Sequence, residues 1–348
     1  MFSRRTFIKL GLLTLTGLNG KTVSNYLAQN KSKNLYQKMK HHKTKPSYLE
    51  LHNNGELKVR GQKLWKMMQE CKLCPRQCKV NRMDGERGFC GADSNLEIAS
   101  YAPHFGEERP LVGQGGSGTI FLTHCSLRCV FCINPDISQE GYGTQKSIND
   151  FAGMMLRLQK MGCENINIVT PTHYIPHLIL ALDIASRKGL NIPLVYNTSG
   201  YERVEILTQL DGIVDIYLPD FKYAGSKMAS RFSSGAKDYP ELAKNALLEM
   251  NRQVGIASSN SKGIMQRGLM IRHLVMPNNV SGTDRILAWI ADNLPKHTYI
   301  NLMSQYRPVY KAHNYPKISR RISQKEYKQA IKWGQDAGLT NLHLQGHD

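Results

Sequence analysis

The chain has 348 residues, 41% of them hydrophobic, which suits one large globular domain with an accessory piece. Lys and Arg number 46 against 27 Asp and Glu, a net charge of +19. Eight cysteines in a chain this long exclude a small secreted disulfide scaffold, and no aromatic-and-arginine stripe offers a stacking surface for bases, which argues against a nucleic-acid partner.

The positive charge is concentrated at the start. Residues 1–70 carry fourteen basic and three acidic side chains, +11 of the total. Such an arm can bind nucleic acid or an anionic membrane surface, or simply stay solvated. Within residues 1–20, Arg4-Arg5 precedes the apolar run Leu10-Gly-Leu-Leu-Thr-Leu-Thr-Gly-Leu18, an order that resembles a twin-arginine signal. That reading implies export, or membrane anchoring through an uncleaved signal, since no A-x-A site follows. A fortuitous basic and apolar start on a cytoplasmic protein is the alternative. The run is too short for an ordinary transmembrane helix. Residues 21–45 read as a lysine-rich linker with a solvated His41-His42 pair.

From Pro46 a pattern resumes. Leu57, Val59, Leu64, Trp65, Met67 and Met68 predict a helix leading into Cys71-Lys-Leu-Cys74-Pro-Arg-Gln-Cys78, closed by Cys90. Residues 46–100 are thus a helix and a four-cysteine metal module. Four thiols on a compact loop complete a coordination set, either zinc or a second iron–sulfur cluster. With no open position, its role is structural or electron relay.

Residues 101–348 make the larger domain. The glycine run Gly113-Gln-Gly-Gly-Ser-Gly118 lets backbone approach a ligand, or turns the chain into a strand; it lacks a P-loop lysine. Thr119-Ile-Phe-Leu-Thr123 reads as a buried strand, and Cys125-Ser-Leu-Arg-Cys129-Val-Phe-Cys132 leaves its end. Thiolates suit iron–sulfur clusters. Three sulfurs on a four-iron cubane leave one iron open, and an open iron can chelate the amino and carboxylate groups of S-adenosylmethionine. The spacing resembles the signature of the radical SAM superfamily; a disulfide-forming trio and a zinc knuckle are the bland alternatives. Cys163 stands alone and reads as a small buried hydrophobe.

Strand and helix then alternate. Further strands are expected at Ile166–Thr170, Leu194–Asn197, Ile213–Leu218, Leu269–Met276 and Tyr299–Leu302, with helices on Phe151–Leu158, Leu178–Ile184, Pro240–Gln253 and Gln324–Gly338. Six units predict an α/β fold, a partial (β/α)6 TIM-type barrel. The strand ends are polar or titratable: Thr170 and His173, Asn197 to Ser199, Asp220 and Lys222, Arg272 and His273, Gln305 and Tyr306. In such barrels, function gathers at those ends.

From about Pro46 onward the chain is similar to radical SAM proteins related to pyruvate formate-lyase activating enzyme. The similarity lies in Cys71-to-Cys90, Gly106-Glu-Glu, Gly116-to-Cys132, Val169-Thr-Pro-Thr-His-Tyr174, Tyr196-Asn-Thr-Ser-Gly-Tyr201, Asp215-to-Tyr223, Arg272-to-Pro277 and Leu302-to-Tyr306. It implies a [4Fe-4S] cluster on Cys125, Cys129 and Cys132, S-adenosylmethionine as cofactor and a low-potential electron donor. Thr170, Thr172 or His173 stands where activases carry a G-G-E-P-type turn to the cofactor. Asn197 and Ser199 resemble the turn near its ribose and carboxylate, Asp220 and Lys222 the D-x-K turn, and Arg272 a strand arginine on the cofactor or substrate side. Activases lack the four-cysteine module, so their glycyl-radical substrate does not transfer directly. The expected function is reductive cleavage of S-adenosylmethionine and hydrogen abstraction from a protein or small molecule. An RNA-modifying radical SAM enzyme and a non-enzymatic iron–sulfur carrier or assembly factor are the alternatives.

Overall fold

The computed structural model describes residues 45–345. The twin-arginine segment and the lysine-rich stretch up to residue 44, with His41 and His42, lie outside the described residues.

Ten strands form the frame: β1 (Leu96–His104), β2 (Ser117–Leu122), β3 (Thr144–Lys146), β4 (Ile166–Val169), β5 (Leu194–Thr198), β6 (Ile216–Pro219), β7 (Ser258–Ser259), β8 (Met265–Leu274), β9 (Tyr299–Met303) and β10 (Leu342–Gln345). Their order is β10-β9-β8-β6-β5-β4-β2-β1-β3, with β7 beside β8. Neighbours from β2 to β10 run parallel. β1 is antiparallel to β2 and to β3, and β7 to β8. β4, β5 and β6 are short, almost wholly buried runs, as parallel strands covered on both faces must be. This is the α/β architecture of a partial TIM-type barrel.

The helices follow from their own sequence. Ile148–Lys160 starts on a capping box of Ser147 and Asp150 and buries Phe151, Met154, Met155 and Leu158. Gln324–Asp336 starts on a second box, Ser323 with Glu326. Glu56–Lys66 is the helix expected before the first cysteines, and a short 3₁₀ turn, Met67–Glu70, carries it into Cys71.

Three features differ from the sequence reading. Seven strands run parallel where six were expected, because β10 adds to β9 at the end of the chain. The strand expected from Ile213 begins at Ile216, since Ile213 and Val214 both donate backbone bonds to Leu210 and close the preceding turn. β1 runs across the 100/101 boundary drawn from the sequence, and all described residues belong to one compact unit.

Strand alternation gives the sheet two chemically distinct faces. Leu194, Tyr196, Tyr217, Leu269, Ile271, Ile300 and Leu302 join the main core. On the other face Val195, Ile216, Leu218, Met270 and Tyr299 form a separate cluster with Leu111, which comes from the short helix Arg109–Val112 between β1 and β2. Two residues further along, the same inner ladder turns polar: Asn197, Asp220, Arg272 and Asn301. The inner face thus has an apolar floor and a charged rim.

Candidate active site

β2 delivers the three-cysteine loop. His124 and Arg128 hold left-handed backbone, at φ 67° and 52°. Non-glycine residues keep such angles only where their surroundings impose them. Here His124 Nε2 lies 2.9 Å from Glu97 Oε2. Arg128 donates to Gln139 Oε1 at 3.2 Å and to the Phe89 carbonyl at 3.3 Å.

Every sulfur on the loop has a hydrogen-bonding neighbour. Cys125 Sγ accepts the Leu127 N–H at 3.4 Å, Cys129 Sγ lies 3.1 Å from Ser233 Oγ, and Cys132 Sγ lies 3.0 Å from Ser138 Oγ. Burial pushes the Cys129 thiol up to about 12 and raises Cys125, against the pull of Lys222. Bare thiols here keep their protons, and iron would displace them. Among the described residues, no three His, Cys, Asp or Glu side chains converge on the position of a single ion. A cubane makes a different demand, an iron for each sulfur. Three soft donors on one loop, each hydrogen-bonded, fit three of its corners.

The charged rim closes around this loop. Arg272 donates to Asn197 Oδ1 at 2.5 Å and to Asp220 Oδ1 at 2.9 Å, and lies 3.7 Å from Glu107. Lys222 Nζ is 2.6 Å from Asp220 Oδ2. Burial alone would raise Asp220, but Arg272 and Lys222 outweigh it and hold the carboxyl below its ordinary value. Lys222 stands close enough to Cys129 and Cys125 to act on both thiols. Glu107 is raised to about 7 by burial, with Arg272 pulling down and Glu108 pushing up.

The structure therefore brings Asn197, Asp220, Lys222 and Arg272 together beside the thiols. Thr170 adjoins them: its N–H donates to the Asn197 carbonyl from backbone at φ 60°. The Ser199 carbonyl accepts from Tyr239 Oη, which also donates to Asp220 O. Thr172 and His173 go elsewhere. Thr172 is buried and donates to Glu202 at 2.6 Å. His173 is buried, with Nε2 2.8 Å from the Thr123 carbonyl; burial and then Arg82 hold it well below its ordinary value, so it stays neutral.

The four-cysteine module is folded against the same loop. Cys71 N–H donates to Val80 O and Cys71 O accepts the Lys79 N–H, Phe89 N–H donates to Cys78 Sγ at 3.2 Å, and Arg76 and Ala92 give backbone hydrogen bonds to Cys74 and Cys90. The thiols of Cys71, Cys78 and Cys90 all act on Cys74, so the four lie within electrostatic reach of one another. Arg76 stacks 3.8 Å over Phe89 and donates to the carbonyls of Ser126 and Ser233. Gly91 permits a close approach: at φ 93°, a Cβ there would lie 3.0 Å from His124 Nδ1. Buried Arg82 ties the module to β4's exit through Asp93 O and His173 O.

Sequence reasoning missed several of these residues. Glu108 accepts from Asn301 Nδ2 at 2.9 Å and hydrogen-bonds Glu107. The quoted Gly106-Glu-Glu stretch was the available signal. Glu202, Ser138 and Ser233 carried none, because their partners are distant in sequence or depend on loop shape.

The family model described as Radical SAM superfamily matches residues 119–250, from β2 to the helix Tyr239–Val254. An uncharacterized protein of Methanocaldococcus jannaschii is 34% identical over 288 residues, 80% of this chain and 78% of that protein. A second from the same organism is 24% identical over 266 residues, 71% and 73% of the two chains. Among solved structures, a radical SAM methyltransferase from Sphaerobacter thermophilus aligns at a TM-score of 0.44 and 13% identity, over 65% of this chain and 66% of that one, slightly less than two thirds of its length. A domain of pyruvate-formate lyase-activating enzyme from Bacteroides vulgatus aligns at 0.34 and 15%, over 57% and 91%. With Cys125, Cys129 and Cys132 inside the matched region, the chain belongs to the radical SAM superfamily, whose members use a [4Fe-4S] cluster and S-adenosylmethionine.

Proposed function

We propose that the protein abstracts a hydrogen atom from a protein or small-molecule substrate, after reductive cleavage of S-adenosylmethionine at the rim of the inner face. The observation that carries this reading is the placement of Cys125, Cys129 and Cys132 beside the linked group Asn197, Arg272, Asp220 and Lys222. When bound, the cluster and S-adenosylmethionine would supply a carbon radical on the cofactor's 5′ carbon. Cys125, Cys129 and Cys132 would hold three irons. Asn197, Asp220, Lys222 and Arg272 form a mixed-charge surface suited to the amino and carboxylate groups of the cofactor or to a polar substrate. The apolar floor of Val195, Leu218, Met270 and Tyr299 keeps water from below. A low-potential one-electron donor completes the reaction.

The four-cysteine module, in the same proposal, holds a second metal centre with no open position. Its direct packing on the Cys125 loop through Arg76 and Gly91 suits it either to bracing that loop or to passing electrons to it.

The test is the EPR spectrum of anaerobically reconstituted, reduced protein. Adding S-adenosylmethionine changes the cluster signal if an iron is open to it. A cluster signal indifferent to S-adenosylmethionine points to an electron carrier and rejects the proposal. Iron, sulfide and zinc analysis of the same sample distinguishes two clusters from one cluster plus zinc.

A further inference from the structure

We infer that Ser138 and Ser233 donate hydroxyl hydrogens to the sulfurs of Cys132 and Cys129, and that they raise the reduction potential of the cluster those sulfurs hold. The inference rests on the proposed role of the three cysteines as cluster ligands.

The donor direction follows from what stands behind each serine. Ser138 Oγ accepts the Gln139 Nε2 amide at 3.3 Å, and Gln139 is fixed in that orientation because its Oε1 accepts from Arg128 Nε. An amide nitrogen can only donate, so the Ser138 hydrogen is left for Cys132 Sγ, 3.0 Å away. Ser233 is fully buried, with Tyr223 Oη 2.9 Å from its Oγ on one side and Cys129 Sγ 3.1 Å on the other. A thiolate cannot donate. Once Cys129 carries iron, the chain has one consistent order: Tyr223 donates to Ser233, and Ser233 donates to sulfur. A chain of this kind strengthens each bond in it.

Both hydroxyls are held by backbone. The Ser138 N–H donates to Asn134 O at 3.0 Å, and the Ser233 N–H to Ala229 O at 2.9 Å. Ser233 O in turn accepts from Arg76, so the four-cysteine module braces the donor. Cys125, which has no hydroxyl, takes backbone N–H groups instead. Reduction adds negative charge to the cluster and its thiolates. A hydrogen donated to sulfur stabilises that charge and moves the potential upward.

The experiment uses the full chain, reconstituted anaerobically, as wild type and as Ser138→Ala, Ser233→Ala and Tyr223→Phe. Iron and sulfide content is measured first, then the midpoint potential by EPR-monitored titration, then exchangeable-deuteron couplings by ENDOR after transfer to D2O. At unchanged cluster content, both alanine variants shift to more negative potential and each loses a deuteron coupling. Tyr223→Phe shifts in the same direction by less, and keeps the fold of the Ser233 loop if Ser233→Ala does not. Potentials that stay put or rise, with couplings retained, overturn the inference while leaving the cluster reading intact. A wild-type protein that binds no cluster removes both.

Discussion

Arg272 is the residue on which the rim depends. It is half-buried, and three partners from three other segments meet its guanidinium: Asn197, Asp220 and Glu107. Removing one member of a buried charged group leaves the others uncompensated, at roughly 3–5 kcal/mol. Arg272→Met is therefore expected to lower the melting temperature and to weaken the response of the cluster signal to S-adenosylmethionine. Arg272→Lys keeps the charge but not the fork, and is expected to recover stability better than cofactor response. Glu202 offers a pH test. It is fully buried, and Oε1 accepts from Thr172, Thr198 and Tyr196 while Oε2 has no partner. Burial wins over those three donors and raises the carboxyl from 4.5 to about 7. The folded protein thus holds a proton that the unfolded chain releases near 4.5. That stabilisation is fully present below about 4.5 and is lost as pH rises through about 7, by up to about 3 kcal/mol. Melting curves across that window are expected to fall less steeply for Glu202→Gln than for wild type. Asp215 and Glu107, raised to about 6 and about 7, keep a residual slope of the same sign.

At the scale of elements, the four-cysteine module and the Cys125 loop act as one piece because Arg76 joins them. Its guanidinium lies over Phe89 and bonds two carbonyls on the far side. Arg76→Ala forfeits two charged hydrogen bonds, taking from Ser126 O its side-chain donor and leaving Ser233 O with the Ala236 N–H, a cost of roughly 1.5–3 kcal/mol. The expected outcome is a lower melting temperature and slower cluster assembly, read by thermal melts and by absorbance during reconstitution. Arg76→Lys is expected to restore part of the first and little of the second. None of this coupling was legible in the sequence, where the two cysteine groups looked like separate modules. The three-cysteine loop itself was legible, since its thiols are local and the preceding strand is apolar. Asn197, Asp220 and Arg272 were legible too, because period-two alternation and strand ends place them without any knowledge of tertiary contacts. His173 was not. Its Nε2 meets Thr123 O and its carbonyl accepts from Arg82, both far away in sequence, and no local pattern announces those contacts.

For the whole molecule, alternation of strands and helices carried the fold, and short elements escaped it. β3, with three residues, and β10, with four, give too little pattern to read, and β1 is an antiparallel strand in a chain that otherwise reads as parallel. The helix Arg109–Val112 escaped for the same reason, though it sets Leu111 on the inner floor and Glu107 and Glu108 at the rim. Among the described residues, three thiols stand beside a linked group of Asn197, Asp220, Lys222 and Arg272. The central claim is that an iron held by those thiols is open to S-adenosylmethionine. Its most direct measurement is the yield of 5′-deoxyadenosine from anaerobically reconstituted protein given dithionite and S-adenosylmethionine, with Cys129→Ala alongside. The account predicts 5′-deoxyadenosine and methionine from wild type and none from the variant. A wild-type protein with an intact, reduced cluster and no 5′-deoxyadenosine, with or without candidate substrates, would contradict it.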